Sequence, residues 1–109
     1  YDTQSINSTL TALKEAEVNE SIMIDASHGN SQKKFKQQIP VVESICDQII
    51  NGDHNIKGVM IESHLNEGNQ KITENLKYGQ SITDACLGWD DTLICLKMLN
   101  EAIINKRGK

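Results

Sequence analysis

The chain has no apolar run near the roughly 18 residues that a membrane-spanning helix needs, and no signal-peptide pattern opens it. Positive charge is also scarce: 11 Lys and Arg stand against 15 Asp and Glu, giving a net charge of −4 and a pI near 5.3. Such a chain is a poor match for nucleic acid or for an anionic membrane surface. We therefore expect neither as a partner.

Paired cysteines are absent as well. The chain has 3 cysteines, an odd number, and no C-x-x-C spacing. This pattern is typical of reduced thiols and favours a cytoplasmic protein. Cys46 and Cys95 lie within helical apolar patterns, which predicts that they are buried. Cys86 lies two residues after Asp84 but one layer away on a strand, so we do not expect it to bind a metal.

Length and composition indicate one modest globular domain. A chain of 109 residues with 38% hydrophobic and 24% charged residues is ordinary for such a protein. The sequence begins with Tyr1 rather than Met. We expect it to be a piece of a longer protein.

Periodicity predicts an alternation of helices and strands. Apolar residues at helical spacing predict helices over 5–18, 35–50 and from about 90 to the C-terminal Lys106, Arg107 and Lys109. Short apolar runs predict buried parallel strands at 21–25, 56–62 and 81–85. Pro40 falls inside the second helical pattern, where a kink or break is expected. Residues 66–80 lack periodicity and predict a long loop, of the kind that usually carries function.

A ligand-type residue follows each predicted strand: His28, Glu62 and Asp84. Strand ends are where parallel α/β folds build their sites, so the three side chains are expected to converge. One imidazole with two carboxylates suits Mn, Fe, Co or Zn better than Ca or Mg.

Each of these residues also has a simpler interpretation. His28 alone is more often a hydrogen-bonded turn histidine, and Asp84 alone is more often a turn cap. Glu62 is harder to explain away, because a carboxylate after an apolar strand is costly to bury without a partner. The only arginine, Arg107, lies in the tail.

The segments around these residues are distinctive. They read Ser-His-Gly-Asn-Ser at 27–31, Glu-Ser-His-Leu-Asn-Glu-Gly-Asn-Gln at 62–70 and Ser-Ile-Thr-Asp-Ala-Cys-Leu-Gly-Trp at 81–89. Together they resemble the C-terminal third of the metal-dependent 3-deoxy-7-phosphoheptulonate (DAHP) synthases of the microbial, aromatic-amino-acid-regulated type. The resemblance extends over nearly the whole chain.

The resemblance implies an α/β fold: residues 1–109 would form the C-terminal part of a single (β/α)8 TIM barrel with parallel strands. A full barrel takes about 250 residues, so the chain would hold about three of the eight βα units. The remainder of the barrel becomes an expected partner, and the family's parent enzymes are expected to be homo-oligomers.

The resemblance also implies a function. The family's enzymes condense phosphoenolpyruvate with erythrose 4-phosphate to give DAHP and phosphate, the first step of the shikimate pathway and of aromatic amino acid biosynthesis. His28, Glu62 and Asp84 match the family's metal ligands, with Mn²⁺ expected first and Fe²⁺, Co²⁺ or Zn²⁺ as alternatives. Asp84 is a candidate for proton transfer. His64 is a candidate for a supporting role beside Glu62.

Other residues receive structural interpretations. Asp25 is interpreted as an ordinary strand-end carboxylate, and Glu67, Asn69 and Gln70 as residues that order the loop. The cluster of Lys33, Lys34 and Lys36 is interpreted as a solvated helix face.

Two alternatives to a parent DAHP synthase stay open. The isolated chain, having one arginine, is expected to be inactive, and it could be a non-catalytic fragment that assembles through open sheet edges. A related barrel synthase that uses arabinose 5-phosphate is the other, although the segment at 62–70 favours the DAHP type.

Overall fold

A computed structural model describes residues 1–32, 34–52 and 54–107, which contain three α-helices and two β-strands. In chain order these are α1 (Thr3–Glu15), β1 (Ile22–Asp25), α2 (Gln38–Ile50), β2 (Ile56–Met60) and α3 (Trp89–Arg107). A short 3₁₀ turn, Phe35–Gln37, leads directly into α2.

The two strands pair in parallel, as predicted. Ile22 lies beside Ile56 and Asp25 beside Met60, with one irregularity in register after Ile22. Helix α2 makes the crossover between them, because parallel neighbours cannot be joined by a tight turn. Both strands therefore end at the same edge of the sheet, and the polar residues that follow them emerge there.

The predicted third strand at 81–85 is wrong. Residues 61–88 form a long segment that contains no regular strand, and its β-type pairing is limited to isolated bridges within the segment, between Ser63 and Leu87, Gly68 and Cys86, and Asn69 and Ser81. The polar side chains explain this, since the Ser81 hydroxyl accepts the Thr83 amide hydrogen (3.1 Å) and holds a local turn instead. Ile82, the apolar residue between them, remains 48% exposed. The described residues thus contain two βα units preceded by a helix, not three units.

Pro40 does not kink α2. It is the third residue of the helix, in the first turn, where the backbone N–H groups have no partner within the helix anyway. The helical geometry changes upstream of Pro40, where the 3₁₀ turn passes into α2 at Gln38. Gly52, with φ +103°, lies just past the end of the helix, where a glycine is common.

The other helix ends differ modestly from prediction. Helix α1 begins at Thr3 and ends at Glu15, whereas the predicted helix covered 5–18. Helix α3 begins at Trp89 and carries Asp90 and Asp91 in its first turn, where negative charge is favourable. Lys106 and Arg107 occupy its last turn, and the predicted Lys109 lies outside the described residues.

Helices α2 and α3 pack against each other, and α2 supplies more of the buried core side chains than any other described element. Cys46 and Cys95 are buried there, which confirms their predicted place. The largest fully buried apolar side chains are Ile45, Leu87, Val41 and Val42. Leu87 links the long loop to this core. Within the described ranges, no helix combines the length and hydrophobicity needed to cross a bilayer.

Core packing on α2 gives a first prediction. Ile45 is 0% exposed, and its replacement by Ala should lower the free energy of unfolding by about 2–5 kcal/mol, because a cavity remains where the side chain was. Ile104 on α3 is 58% exposed and provides the matched control. Ile104→Ala should change the free energy of unfolding by less than about 1 kcal/mol. Urea unfolding followed by circular dichroism measures both variants. Equal losses of stability in the two variants would contradict the core position of Ile45.

Candidate metal centre

His28 lies in a tight turn just beyond β1. Its φ of +34° places it in the left-handed region, which histidine enters more readily than most residues. The Ser31 amide donates to the Ser27 carbonyl (3.2 Å), and the Ser31 hydroxyl donates to the His28 carbonyl (3.3 Å). Ser27 and Ser31 are both buried. These buried serines therefore hold the turn in one conformation, which limits the orientation of the His28 imidazole.

Asp25, the last residue of β1, binds this turn through its carboxylate. Oδ1 accepts hydrogen bonds from the Ser27 amide (2.8 Å) and the Ser27 hydroxyl (2.6 Å). Oδ2 lies 2.7 Å from Nδ1 of His28. The Asn30 side chain donates to the Asp25 carbonyl (2.7 Å). One carboxylate thus joins the strand end, the turn and the imidazole.

The backbone of Glu62 is held by the side chain of Gln38, from the first turn of α2. Gln38 Oε1 accepts the Glu62 amide hydrogen (2.9 Å), and Gln38 Nε2 donates to the Glu62 carbonyl (3.1 Å). That carbonyl also accepts the Leu87 amide (3.0 Å). Gln38 is 0% exposed, so this pair of hydrogen bonds is shielded from water. Glu62 lies beyond the end of β2, and the Gln38 side chain takes the place of a neighbouring strand as hydrogen-bond partner for its backbone.

Asp84 comes from the long loop, not from a strand. Asn69 Nδ2 donates to the Thr83 carbonyl (2.9 Å), and the Cys86 thiol contacts the Asp84 carbonyl (Sγ–O 3.4 Å). The loop is paired with itself by the bonds between Gly68 and Cys86, at 2.8 and 3.1 Å. These bonds bring Asp84 back over the strand ends. Burial raises the pKa of Cys86, which disfavours the thiolate that a metal would need.

The three predicted ligand residues meet at one point. His28 Nε2 lies 3.5 Å from Glu62 Oε1 and 3.3 Å from Asp84 Oδ2. One donor atom from each residue falls within 4.8 Å of the other two. Two donors about 2.1 Å from one ion at a tetrahedral angle lie about 3.4 Å apart, so these separations suit a shared cation. The donor set fits a borderline divalent metal.

The charges within the cluster also favour a bound cation. Among the described ion pairs, those of Glu62 and Asp84 are with His28 and with no lysine or arginine. The hydrogen bond to Asp25, helped by the negative charge of Glu62, raises the pKa of His28 despite the opposing effect of burial. For Asp25, burial alone would raise the pKa, but the hydrogen bonds from Ser27 and His28 outweigh it and lower the pKa. The cluster therefore attracts positive charge.

A cavity of about 180 Å³ adjoins the cluster. Its walls include His28, Glu62, Asp84, Phe35 and Asn69. No lysine or arginine is among its lining residues in the described part of the chain. The cavity thus offers metal-type ligands without a cationic clamp for a phosphate.

His64 does not join the cluster. It is exposed, and its Nδ1 accepts the amide hydrogen of Leu65 (2.8 Å). No described hydrogen bond or ion pair links its side chain to Glu62, and its supporting role beside Glu62 stays a prediction. Lys36 forms an ion pair with Glu67 (3.7 Å), and Lys33 of the same predicted cluster lies outside the described residues.

Two of the three predicted loop-ordering residues, Asn69 and Gln70, hold the loop through their amide side chains. Gln70 Nε2 donates to the carbonyls of Lys77 (2.8 Å) and Gln80 (3.1 Å), and its Oε1 accepts the Lys77 amide (2.9 Å). Asn69 holds the segment next to Asp84, as described above. Amide side chains of this kind replace the secondary structure that the loop lacks.

Sequence reasoning missed two residues of this site. Asp25 precedes His28 by three positions, a spacing that a tight turn can close into a hydrogen bond, and this signal was available in the sequence. Gln38 was not foreseeable, because its partner is Glu62, 24 positions away along the chain.

Comparison with known proteins identifies the family of this chain. Residues 1–97 match the profile of the DAHP synthetase I family, so the chain belongs to this family. It is 48% identical over 98% of its length to a putative phospho-2-dehydro-3-deoxyheptonate aldolase of Schizosaccharomyces pombe. It is 46% identical over 99% of its length to the Phe-sensitive enzyme of that name from Escherichia coli. These matches cover 30% and 31% of the two relatives.

The fold has a solved counterpart. The phospho-2-dehydro-3-deoxyheptonate aldolase of Francisella tularensis superposes with a TM-score of 0.93 and 43% identity, covering 96% of this chain and 31% of that one. The chain therefore spans less than a third of the proteins that it matches. Its predicted placement in their C-terminal third is not supported by the matches, and the metal-site geometry does not depend on that placement.

The buried contact between Gln38 and Glu62 gives a second prediction. Gln38→Leu should lower the free energy of unfolding by roughly 2 kcal/mol or more, because a buried backbone donor and acceptor both lose a partner. Gln37→Leu, at the adjacent exposed position, is the control and should change it by less than about 0.5 kcal/mol. Denaturant titration measures both. A Gln38→Leu variant as stable as the control would refute the role given to this contact.

Proposed function

We propose that this chain is the metal-binding part of a DAHP synthase, which condenses phosphoenolpyruvate with erythrose 4-phosphate and releases phosphate. The observation that carries the proposal is the convergence of His28, Glu62 and Asp84 within 4.8 Å. Its support is that the relatives at 46–48% identity bear the name of that enzyme. This reaction opens the shikimate pathway of aromatic amino acid biosynthesis.

The proposed ligands are His28 Nε2, Glu62 Oε1 and Asp84 Oδ2, with Mn²⁺ as the first candidate and Fe²⁺, Co²⁺ or Zn²⁺ as alternatives. A divalent cation held there would supply Lewis-acid polarisation of the aldehyde carbonyl of the sugar phosphate. The chain itself orients the three donors: the turn fixes His28, Gln38 fixes Glu62, and the loop delivers Asp84.

Asp84 is also the proposed proton-transfer group. Its side chain is 55% exposed, more than that of Glu62 at 26%, so it is the carboxylate of the pair more open to a substrate. A carboxylate within reach of a substrate oxygen or a bound water can accept or return a proton. Asp84 would do so while its other oxygen remains near His28.

We place β1–α2 and β2–α3 as two consecutive units of a (β/α)8 barrel, with the remainder of the barrel as partner. The parallel pairing and the crossover helix support this. The residues that hold the two substrate phosphates would then come from that remainder, because the cavity next to the cluster has no lysine or arginine among the described residues. A cytoplasmic homo-oligomer completes the proposal, and the free cysteines are compatible with that compartment.

The structural alternative has one observation in its favour. A groove of about 440 Å³ runs between the open side of β2 and α3, and its walls are largely apolar. Its apolar lining residues are Ile49, Ile56, Val59, Ile61, Leu96, Leu99 and Ile103. Another strand or helix would bury this surface. The barrel proposal and the structural alternative both require such a partner, and they differ in whether the metal site is used.

Metal binding gives the third prediction. The chain should bind one Mn²⁺, and Glu62→Gln should weaken binding by at least about a hundredfold, since changes outside the ligand set alone cost about 10–100-fold. Glu74→Gln, an exposed loop position, is the matched control and should leave affinity unchanged. Equilibrium dialysis with Mn²⁺ measures all three proteins. Equal affinity in the Glu62→Gln and Glu74→Gln variants would exclude this site.

Catalysis gives the fourth prediction. The chain alone, supplied with Mn²⁺ and both substrates, should show no turnover, because the phosphates are not fixed and losing that alignment can cost roughly 7–11 kcal/mol of barrier lowering. Loss of the enolpyruvate absorbance measures the reaction. Metal-dependent turnover, with full-length contaminant excluded by mass spectrometry, would show that the chain holds a complete site. Turnover that returns when the rest of a family barrel is added would support the proposed division of roles.

A further inference from the structure

The geometry points to Asp25 as a positioning residue: it sets the tautomer of His28 so that Nε2 presents a lone pair to the space shared with Glu62 and Asp84. The inference rests on the proposed metal site for the use made of that lone pair. Its own content, the tautomer, is a property of the metal-free chain.

The tautomer follows from counting donors around Asp25. An ionised carboxylate only accepts hydrogen bonds, and Oδ1 already accepts two from Ser27, at 2.6 and 2.8 Å. Oδ2 lies 2.7 Å from His28 Nδ1, so the hydrogen of this contact must belong to Nδ1. A neutral imidazole carries only one N–H. Nε2 is then left with its lone pair.

Ser27 restricts the ring as well. Its hydroxyl has a single hydrogen, which goes to Asp25 across the 2.6 Å contact, so its oxygen can only accept from Nδ1 at 2.9 Å. Ser27 is 1% exposed and cannot readily turn away. Two acceptors therefore face the same ring nitrogen, and both favour the Nδ1–H form.

The opposite tautomer would prevent His28 from binding a metal through Nε2. With hydrogen on Nε2, the ring would donate to Asp84 at 3.3 Å or Glu62 at 3.5 Å, and a histidine bonded in that way cannot bind a metal. Asp25 thus selects the form in which all three residues offer lone pairs to one point. Carboxylates behind metal-binding histidines commonly have this effect.

The test uses Asp25→Asn, which preserves shape and removes the second acceptor oxygen. The Ser27 amide can only donate, so the new amide oxygen should turn to it and the NH₂ group should face His28 Nδ1. The ring should then switch to the Nε2–H form. Asp47→Asn, an exposed position on α2, loses the same charge and is the control.

Nitrogen-15 NMR of the metal-free 109-residue chain reads the tautomer directly, at an alkaline pH where the imidazole is neutral. His54 and His64 are replaced by Gln in every protein measured, so that His28 gives the only imidazole signal. Without the Asp25 change and in the Asp47→Asn control, we expect the hydrogen on Nδ1. In Asp25→Asn we expect it on Nε2, together with about a 10–100-fold loss of Mn²⁺ affinity.

The Nε2–H form in the chain with Asp25 intact would overturn the inference, whether or not the Asn variant folds. So would an Asp25→Asn variant that keeps the Nδ1–H form and binds Mn²⁺ within twofold of the control. If the chain binds no Mn²⁺ at all, the proposed metal site fails. The NMR result still decides the role of Asp25, so the two failures are distinguishable.

Discussion

Two carboxylates and an imidazole nitrogen share one small space in this protein, and they repel each other unless a positive charge lies among them. With Nδ1–H directed at Asp25, the Nε2 lone pair of His28 faces oxygens of Glu62 and Asp84 at 3.5 and 3.3 Å. A proton on His28 relieves the repulsion in the metal-free state, consistent with its raised pKa. A divalent cation would relieve it more completely, since it can contact all three donors at once.

Holding such groups together requires rigid supports, and each ligand has its own. The Ser27–Ser31 turn and Asp25 hold the histidine, buried Gln38 holds the backbone at Glu62, and the long loop returns Asp84 through Asn69 and the pairing of Gly68 with Cys86. The supports come from a strand end, a helix start and a loop. Local unfolding of any of these would release the charges, which is why the site depends on the fold around it.

Residue periodicity predicted much of this arrangement. Two of the three predicted apolar runs became parallel strands, the three helical patterns became helices, and the motif residues His28, Glu62 and Asp84 converge. The third strand failed because an apolar run was inferred around Ile82, while the hydroxyls of Ser81 and Thr83 hydrogen-bond locally. Pro40 was misjudged because its effect depends on its distance from the helix start. Gln38 could not be found at all, since its value comes from a contact distant in sequence.

The central claim is that these three side chains bind one cation. The most direct measurement is the anomalous scattering of manganese in crystals of the chain grown with Mn²⁺. The account predicts one strong peak about 2.0–2.3 Å from His28 Nε2 and from a carboxylate oxygen of both Glu62 and Asp84. A fully occupied manganese peak elsewhere, with Nε2 of His28 hydrogen-bonded to Asp84 instead, would contradict it.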